Sequence, residues 1–260
     1  MGDFVIVIPA RYASSRLPGK PLKLIHGRPM IEWTWLQAQK AQARRVIITT
    51  ESKVVQQVCN DFGAEVVLTA DHHQSGTERI AEVIDLCGLS DKEIIVNLQG
   101  DEPMLPYQLM RQVAQGLIDR PEVPMATLCE PIAELEAVFD PHAVKVTRDV
   151  RQCAINFSRA PLPWAREGFD HQPYALPQDF QYYRHIGLYA YRAGFVKQYV
   201  AWPECALEQV EKLEQLRVLW HGEKILVLEA EREAGVGVDT EADLIRVTAL
   251  MQDQVSAVET

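Results

Sequence analysis

Phe4-Val5-Ile6-Val7-Ile8-Pro9-Ala10-Arg11 opens the chain with five apolar residues in a row, closed by a proline and a cation. An unbroken apolar run of this length, rather than an alternating one, is how a strand covered on both faces of a parallel sheet reads. The pattern returns at Val46-Ile47-Ile48, Val66-Val67-Leu68 and Ile94-Ile95-Val96-Asn97-Leu98, and the segments between have helical spacing: Met30 to Ala43, Val54 to Phe62, and Thr77 to Leu86. Ser75 and Glu78 open the last of these in capping-box register. Strand alternating with helix at this spacing predicts an α/β fold, a doubly wound and mostly parallel Rossmann-like sheet.

The second half is less regular. Strands are expected at Met125 to Cys129, Ala143 to Thr147, Ala154 to Phe157, Ile186 to Tyr191 and Ile225 to Leu228. Helices are expected from Leu207 to Leu219 and from Glu241 to Met251, the latter starting at Thr240. Between Arg159 and Arg184 the chain holds Pro161, Pro163, Pro173 and Pro177 without periodicity. So long a stretch is unusual as a passive connection and reads as a binding arm, a lid or a subunit contact. No repeat or linker divides the 260 residues, so a single domain is expected.

The formal charge is −10, which argues against a nucleic-acid binder, since such proteins need a basic surplus to displace counterions. No apolar run approaches the ~20 residues of a membrane span, and no export signal is visible. The 5 cysteines are scattered and never spaced as Cys-x-x-Cys. Neither a disulfide framework nor a zinc knuckle follows, and a reducing cytoplasm fits.

Charge is unevenly spread. Up to Ile31 the cations Arg11, Arg16, Lys20, Lys23 and Arg28 face Asp3 alone, a local anion site in an acidic protein. In an open α/β sheet, ligands bind beyond the carboxyl ends of the strands, and the loop Pro9 to Pro21 follows the first strand there. Pro18 and Pro21 stiffen the backbone around Gly19-Lys20, which suits a polyphosphate tail because less order is lost on binding. Neither G-x-G-x-x-G nor a P-loop occurs. Gln99-Gly100-Asp101-Glu102-Pro103 places a carboxylate at the end of a central strand, and Gly235-Val236-Gly237-Val238-Asp239-Thr240 brings a second one. Two aspartates opposite a basic loop suit a divalent cation bridging to phosphates. Each also reads as an ordinary turn or capping residue when taken alone. Spacing alone does not make a sugar pocket of Asn156 to Arg159, His185 to Tyr189 or Glu214-Gln215.

A resemblance adds what spacing cannot. Ile8-Pro-Ala-Arg-Tyr-Ala-Ser-Ser-Arg-Leu-Pro-Gly-Lys-Pro-Leu22 resembles the signature loop of the 3-deoxy-manno-octulosonate (Kdo) cytidylyltransferases. The likeness continues in order through Ser75 to Arg79, Val96 to Pro103, Met125 to Leu128, Ala143 to Val146, Phe157 to Arg159, Arg184 to Tyr189, Leu213 to Leu219 and Gly237 to Thr240. It implies transfer of CMP from CTP to the anomeric hydroxyl of Kdo with release of diphosphate, in the supply of Kdo for lipopolysaccharide. By the same resemblance Arg11, Ser14, Arg16 and Lys20 hold the phosphates, Pro9, Ala10, Thr50, Ser75, Gly76 and Gln99 surround the nucleoside, and Asp101 and Asp239 bind Mg²⁺. Arg11, Arg16, Lys20 and Asp101 form the catalytic set. Arg79, Gln99, Arg159, His185, Tyr189, Glu214 and Gln215 are implied to contact the sugar acid. Residues 1–122 then serve mainly CTP and residues 123–260 mainly the sugar acid and a homodimer contact. An amino variant of Kdo or a sialic-type acid as acceptor stays open, as does a non-catalytic nucleotide sensor. A sugar-1-phosphate pyrophosphorylase would show a glycine-rich first loop, and a metal-dependent glycosyltransferase an Asp-x-Asp, which is absent.

Overall fold

The structure is a computed structural model that describes residues 2–13 and 16–252. In chain order the elements are β1 (Gly2–Pro9), β2 (Leu24–Ile25), β3 (Arg28–Pro29), α1 (Met30–Lys40), β4 (Ala43–Thr50), α2 (Lys53–Asp61), β5 (Glu65–Leu68), α3 (Gly76–Leu86), β6 (Ile94–Asn97) and α4 (Tyr107–Asp119). They continue with β7 (Met125–Ile132), α5 (Leu135–Phe139), β8 (Lys145–Arg148), β9 (Ala154–Ser158), α6 (Arg166–Phe169), β10 (Tyr182–Arg192), α7 (Ala193–Val200), α8 (Ala206–Glu211), α9 (Gln215–Trp220), β11 (Ile225–Glu229) and α10 (Glu241–Leu250). A 3₁₀ turn, Lys20–Leu22, follows the first loop.

The main sheet runs β11-β7-β10-β6-β1-β4-β5, with β8 and β9 attached beside β10. Its pairs are parallel except those made by β10 with β6, β7 and β8 and that of β8 with β9. The expected α/β architecture is therefore present, with β10 running against its neighbours. Consecutive residues of β1 bury on opposite faces. Phe4, Ile6 and Ile8 join Ile31, Val55, Leu109 and Met110 under α1, α2 and α4. Val5 and Val7 join Ile80, Val83, Val196 and Val218 under α3, α7 and α9. That two-sided burial is why the opening run does not alternate.

Four details depart from the sequence reading. β5 lies at the sheet edge and is only partly covered, with Leu68 37% exposed, so Val66 to Leu68 is not buried on both faces. The helix expected from Leu207 to Leu219 is broken into α8 and α9 by Lys212 in the left-handed region, φ 53°. α1 stops at Lys40 because Gln42 turns to φ 56° and Ala43 begins β4. α4 is absent from the sequence reading, since Gly116 interrupts its pattern with a poor helix former. A Cβ at 116 would lie 2.7 Å from Leu228 Cδ1, so the glycine lets α4 sit close on β11. The Arg159 to Arg184 segment includes α6 and closes a small aromatic core, where Phe169 and Tyr182 pack with Ile132 and Val138.

Candidate active site

In this sheet order, the connections from β1 to β4 and from β6 to β7 run toward opposite edges of the sheet, and the crevice beyond the carboxyl ends of β1 and β6 is where ligands sit in open α/β sheets. Gly100 allows the two loops to meet there. A Cβ at 100 would stand 2.8 Å from Pro9 O and 3.2 Å from Ile31 Cδ1. No side chain fits, and the backbone carrying Asp101 stays against Pro9 and Ala10.

The third apolar cluster explains how distant residues reach the same place. Leu17, Ile25, Met30 and Trp33 pack with Val238, Leu244 and Val247, so the C-terminal α10 lies over the first loop. Thr240 caps α10 in a full capping box with Asp243, leaving its neighbour Asp239 turned toward the loop. Lys20 Nζ then lies 2.5 Å from Asp101 Oδ2 and 2.9 Å from Asp239 Oδ1, and Arg16 Nη2 lies 3.1 Å from the same Asp239 oxygen. Burial works to lower the Lys20 pKa, but the two carboxylates outweigh it and leave it raised. Glu102, beside them, is pushed up to about 8 by burial and then by the charges of Asp101 and Asp239.

Arg16, Lys20, Asp101 and Asp239 line a cavity of about 410 Å³ with Pro9, Ala10, Arg11, Ser75, Gly76 and Gln99. Arg11 carries a buried Nη2 without a hydrogen-bond partner among the described residues. A desolvated guanidinium donor left unmatched costs free energy unless a ligand meets it, and a planar fork suits phosphate oxygens. Below the loop, Glu51 Oε1 accepts the Tyr12 N–H at 2.9 Å while Glu51 Oε2 lies 3.1 Å from Arg79 Nη2.

Gly76, Gln99 and Glu214 also line a second cavity of about 300 Å³, together with Thr77, His185, Tyr189, Tyr191, Tyr199 and Gln215. Glu214 accepts from Thr77 Oγ1 at 3.3 Å, and burial raises its pKa. The Nε2 amide of Gln215 is buried without a partner among the described residues. His185 is pushed down to about 3 by burial, so its ring is neutral near pH 7. A third space of about 200 Å³ extends past Gln99 and His185 to Glu102, Arg184 and Gly237. A larger cavity than these, about 910 Å³, opens at the other end of β1 beside Gly2 and Phe4; there Arg111 already donates to the carbonyls of Lys40 and Ala41.

Of the sequence candidates, Pro9, Ala10, Arg11, Arg16, Lys20, Ser75, Gly76, Gln99, Asp101, His185, Tyr189, Glu214, Gln215 and Asp239 line these two cavities. Ser14 lies outside the described residues. Three others are placed elsewhere. Thr50 is fully buried at the end of β4, its hydroxyl accepting from the Ser52 N–H. Arg79 is 1% exposed, bonded to Thr69 and Ala70, and lines neither cavity. Arg159 is tied to the carbonyls of Glu211 and Pro141. The sequence reading overlooked Glu51, Thr77, Tyr191 and Tyr199. Tyr191 was discoverable, because strand alternation puts it on the same face as Tyr189.

Residues 5–225 match the cytidylyltransferase family model. A 3-deoxy-manno-octulosonate cytidylyltransferase 1 of Hydrogenovibrio crunogenus is 66% identical over 249 residues, 96% of either chain. The chain belongs to the 3-deoxy-manno-octulosonate cytidylyltransferase family. A further cytidylyltransferase of that name, from Pseudomonas fluorescens, is 51% identical over 96% of this chain and 98% of its own. Among solved structures, a CMP:2-keto-3-deoxy-manno-octonic acid synthetase complexed with CTP superposes with TM-score 0.88 at 41% identity, covering 97% of this chain and all of that one. A 4-diphosphocytidyl-2C-methyl-D-erythritol synthase from Anaerococcus prevotii shares the fold at 12% identity and TM-score 0.60. In this cytidylyltransferase the cationic first cavity and the polar second one share Gly76, Gln99 and Glu214. Among the described residues no helix is long and apolar enough to cross a membrane.

Proposed function

We infer that this chain transfers CMP from CTP to the anomeric hydroxyl of Kdo, releasing diphosphate, and so supplies activated Kdo for lipopolysaccharide. The observation that carries the reading is the junction itself: Gly76, Gln99 and Glu214 border both the cationic cavity and the polar one. A triphosphate in the first and a sugar acid in the second would meet there. Arg11, with an unmatched buried donor, and Lys20 and Arg16, held only by carboxylates among the described residues, supply cations for the phosphates. They neutralise charge that builds on the leaving diphosphate during in-line attack at the α-phosphorus. Glu214, Gln215, His185 and Tyr189 orient the sugar acid and keep water from the reacting hydroxyl.

Asp101 and Asp239 fit Mg²⁺ on their chemistry: two hard carboxylate oxygens converge on one point, now taken by the Lys20 ammonium. Mg²⁺ ordinarily takes one or two protein carboxylates and completes its shell with phosphate oxygens and water. Among the described residues no cluster of three His, Cys, Asp or Glu forms a self-sufficient metal cage, which agrees with a substrate-shared ion. Bound there, the ion would stabilise negative charge on the phosphates.

The test is release of diphosphate measured with CTP, Mg²⁺ and Kdo together and with each omitted. Release without Kdo, or none with all three, overturns the reading. Amino-Kdo and a sialic acid in place of Kdo decide the acceptor. A homodimer in the cytoplasm completes the proposal, with half-exposed Trp164 and Phe180 of the arm as contact candidates; the mass in solution checks it.

A further inference from the structure

β10 carries two residues more than β7 where the two pair. Leu128 faces Ile186 and Thr127 faces Tyr189, so Gly187 and Leu188 stand out of register. A bulge of this kind leaves backbone groups without ladder partners. Thr127, fully buried, fills the gap: its Oγ1 lies 3.0 Å from Ile186 O, 2.8 Å from Leu188 O and 3.1 Å from Nε2 of His185.

The proton count fixes the direction of these bonds. A hydroxyl has one proton and can accept as well. Both carbonyls can only accept, so the proton goes to one of them. Turned toward the ring instead, it would leave two carbonyl oxygens against the hydroxyl oxygen at 3.0 Å or less with no hydrogen between. The hydroxyl therefore accepts from His185, whose Nε2 carries the N–H. In a neutral imidazole the other nitrogen is then an acceptor, and burial keeps this ring neutral. Nδ1 has no partner among the described residues, and the ring lines the second and third cavities. Phe157 and Tyr189 both pack on it, with ring centroids at 5.2 and 5.3 Å. Gly187 leaves the adjoining space open, since a Cβ there would meet nothing within 4 Å.

We propose that Thr127 is a positioning residue that fixes His185 in the Nε2–H tautomer, so that Nδ1 accepts a hydrogen bond from a hydroxyl of the sugar acid. The inference rests on the sugar-acid reading given above for its ligand, but not for its tautomer. Thr127→Val removes the hydroxyl at nearly constant volume, and Thr127→Ser keeps it.

The experiment is nitrogen NMR of the whole protein labelled at histidine, with the His185 signals assigned by their loss in His185→Gln. Wild type is expected to show a protonated Nε2 and an unprotonated Nδ1. Thr127→Val should shift these signals toward a tautomer mixture and raise KM for the sugar acid roughly tenfold, about the worth of one neutral hydrogen bond. KM for CTP and kcat should change little, and Thr127→Ser should restore both spectrum and KM. A wild-type spectrum with Nδ1 protonated overturns the proposal, even if Thr127→Val does not fold. An unchanged sugar-acid KM in a folded Thr127→Val overturns it too. The expected spectrum without any turnover of Kdo would sink the reaction reading instead, and with it the assigned ligand.

Discussion

Lys20 and Asp101 form an ion pair of 2.5 Å whose ammonium is 11% exposed and also touches Asp239. The pair joins the loop after β1 to the loop after β6. The ammonium lies between the two carboxylates, and Arg16 shares Asp239 with it; phosphates entering the cavity would compete for both cations. Asp101→Asn and Arg16→Ala are each expected to lower turnover by on the order of 10² to 10³ or more, by analogy with loss of one preorganised charge-stabilising group. Melting temperatures should stay close to wild type. A folded Asp101→Asn with near-normal activity would end the metal assignment.

Arg11 separates binding from stability. Its buried Nη2 is unmatched among the described residues, and its charge is one cause, after burial, of the lowered pKa of Arg79. Arg11→Ala should therefore leave the melting temperature unchanged or higher, while weakening CTP by roughly ten- to a hundredfold, the span of a charged hydrogen bond. Titration calorimetry with CTP, beside thermal melts, reads both. A lower melting temperature with unaltered CTP affinity would contradict this account.

His185 predicts a pH slope. Its folded pKa is held at about 3, below the ordinary 6.5, so between those values the unfolded chain binds a proton that the folded one refuses. Stability is complete above about pH 6.5 and falls as pH drops, by up to about 1.4 kcal/mol per unit from this one group. Urea unfolding across pH 4 to 7 should show a shallower loss for His185→Gln than for wild type. Parallel profiles for the two proteins would show that the ring does not resist protonation.

Gly100 predicts a geometric failure. With Pro9 O at 2.8 Å from where a Cβ would stand, Gly100→Ala must push the two loops apart. Turnover should fall at least tenfold, because reacting groups misplaced by about an ångström lose much of their proximity advantage. An enzyme assay beside circular dichroism checks this, and full activity in a folded variant would show that the loops tolerate the separation.

Much of this was legible in residue order. The apolar runs at β1, β4 and β6 identify the central strands, because burial on both faces leaves no room for alternation. The signature loop and the two aspartates stand beside glycines and prolines that only a few backbone shapes accept. Edge position is not local, so β5 reads like a central strand until its missing neighbour is known. Nor does spacing distinguish Arg79 and Arg159, held away from both cavities by internal hydrogen bonds, from Arg11, which lines the first one.

Local pattern thus settled the central strands β1, β4 and β6, the helices α1 to α3 up to their ends, and which loop carries the cations, since those depend on neighbours a few residues away. Tertiary packing decided the rest. α10 had to lie over the first loop before Asp239, 219 residues from Lys20 in sequence, could share its ammonium. β10 had to bulge against β7 before Thr127 could reach His185. Both contacts depend on which surfaces bury against each other, and a hydrogen bond between distant residues forms only after that burial has brought them together.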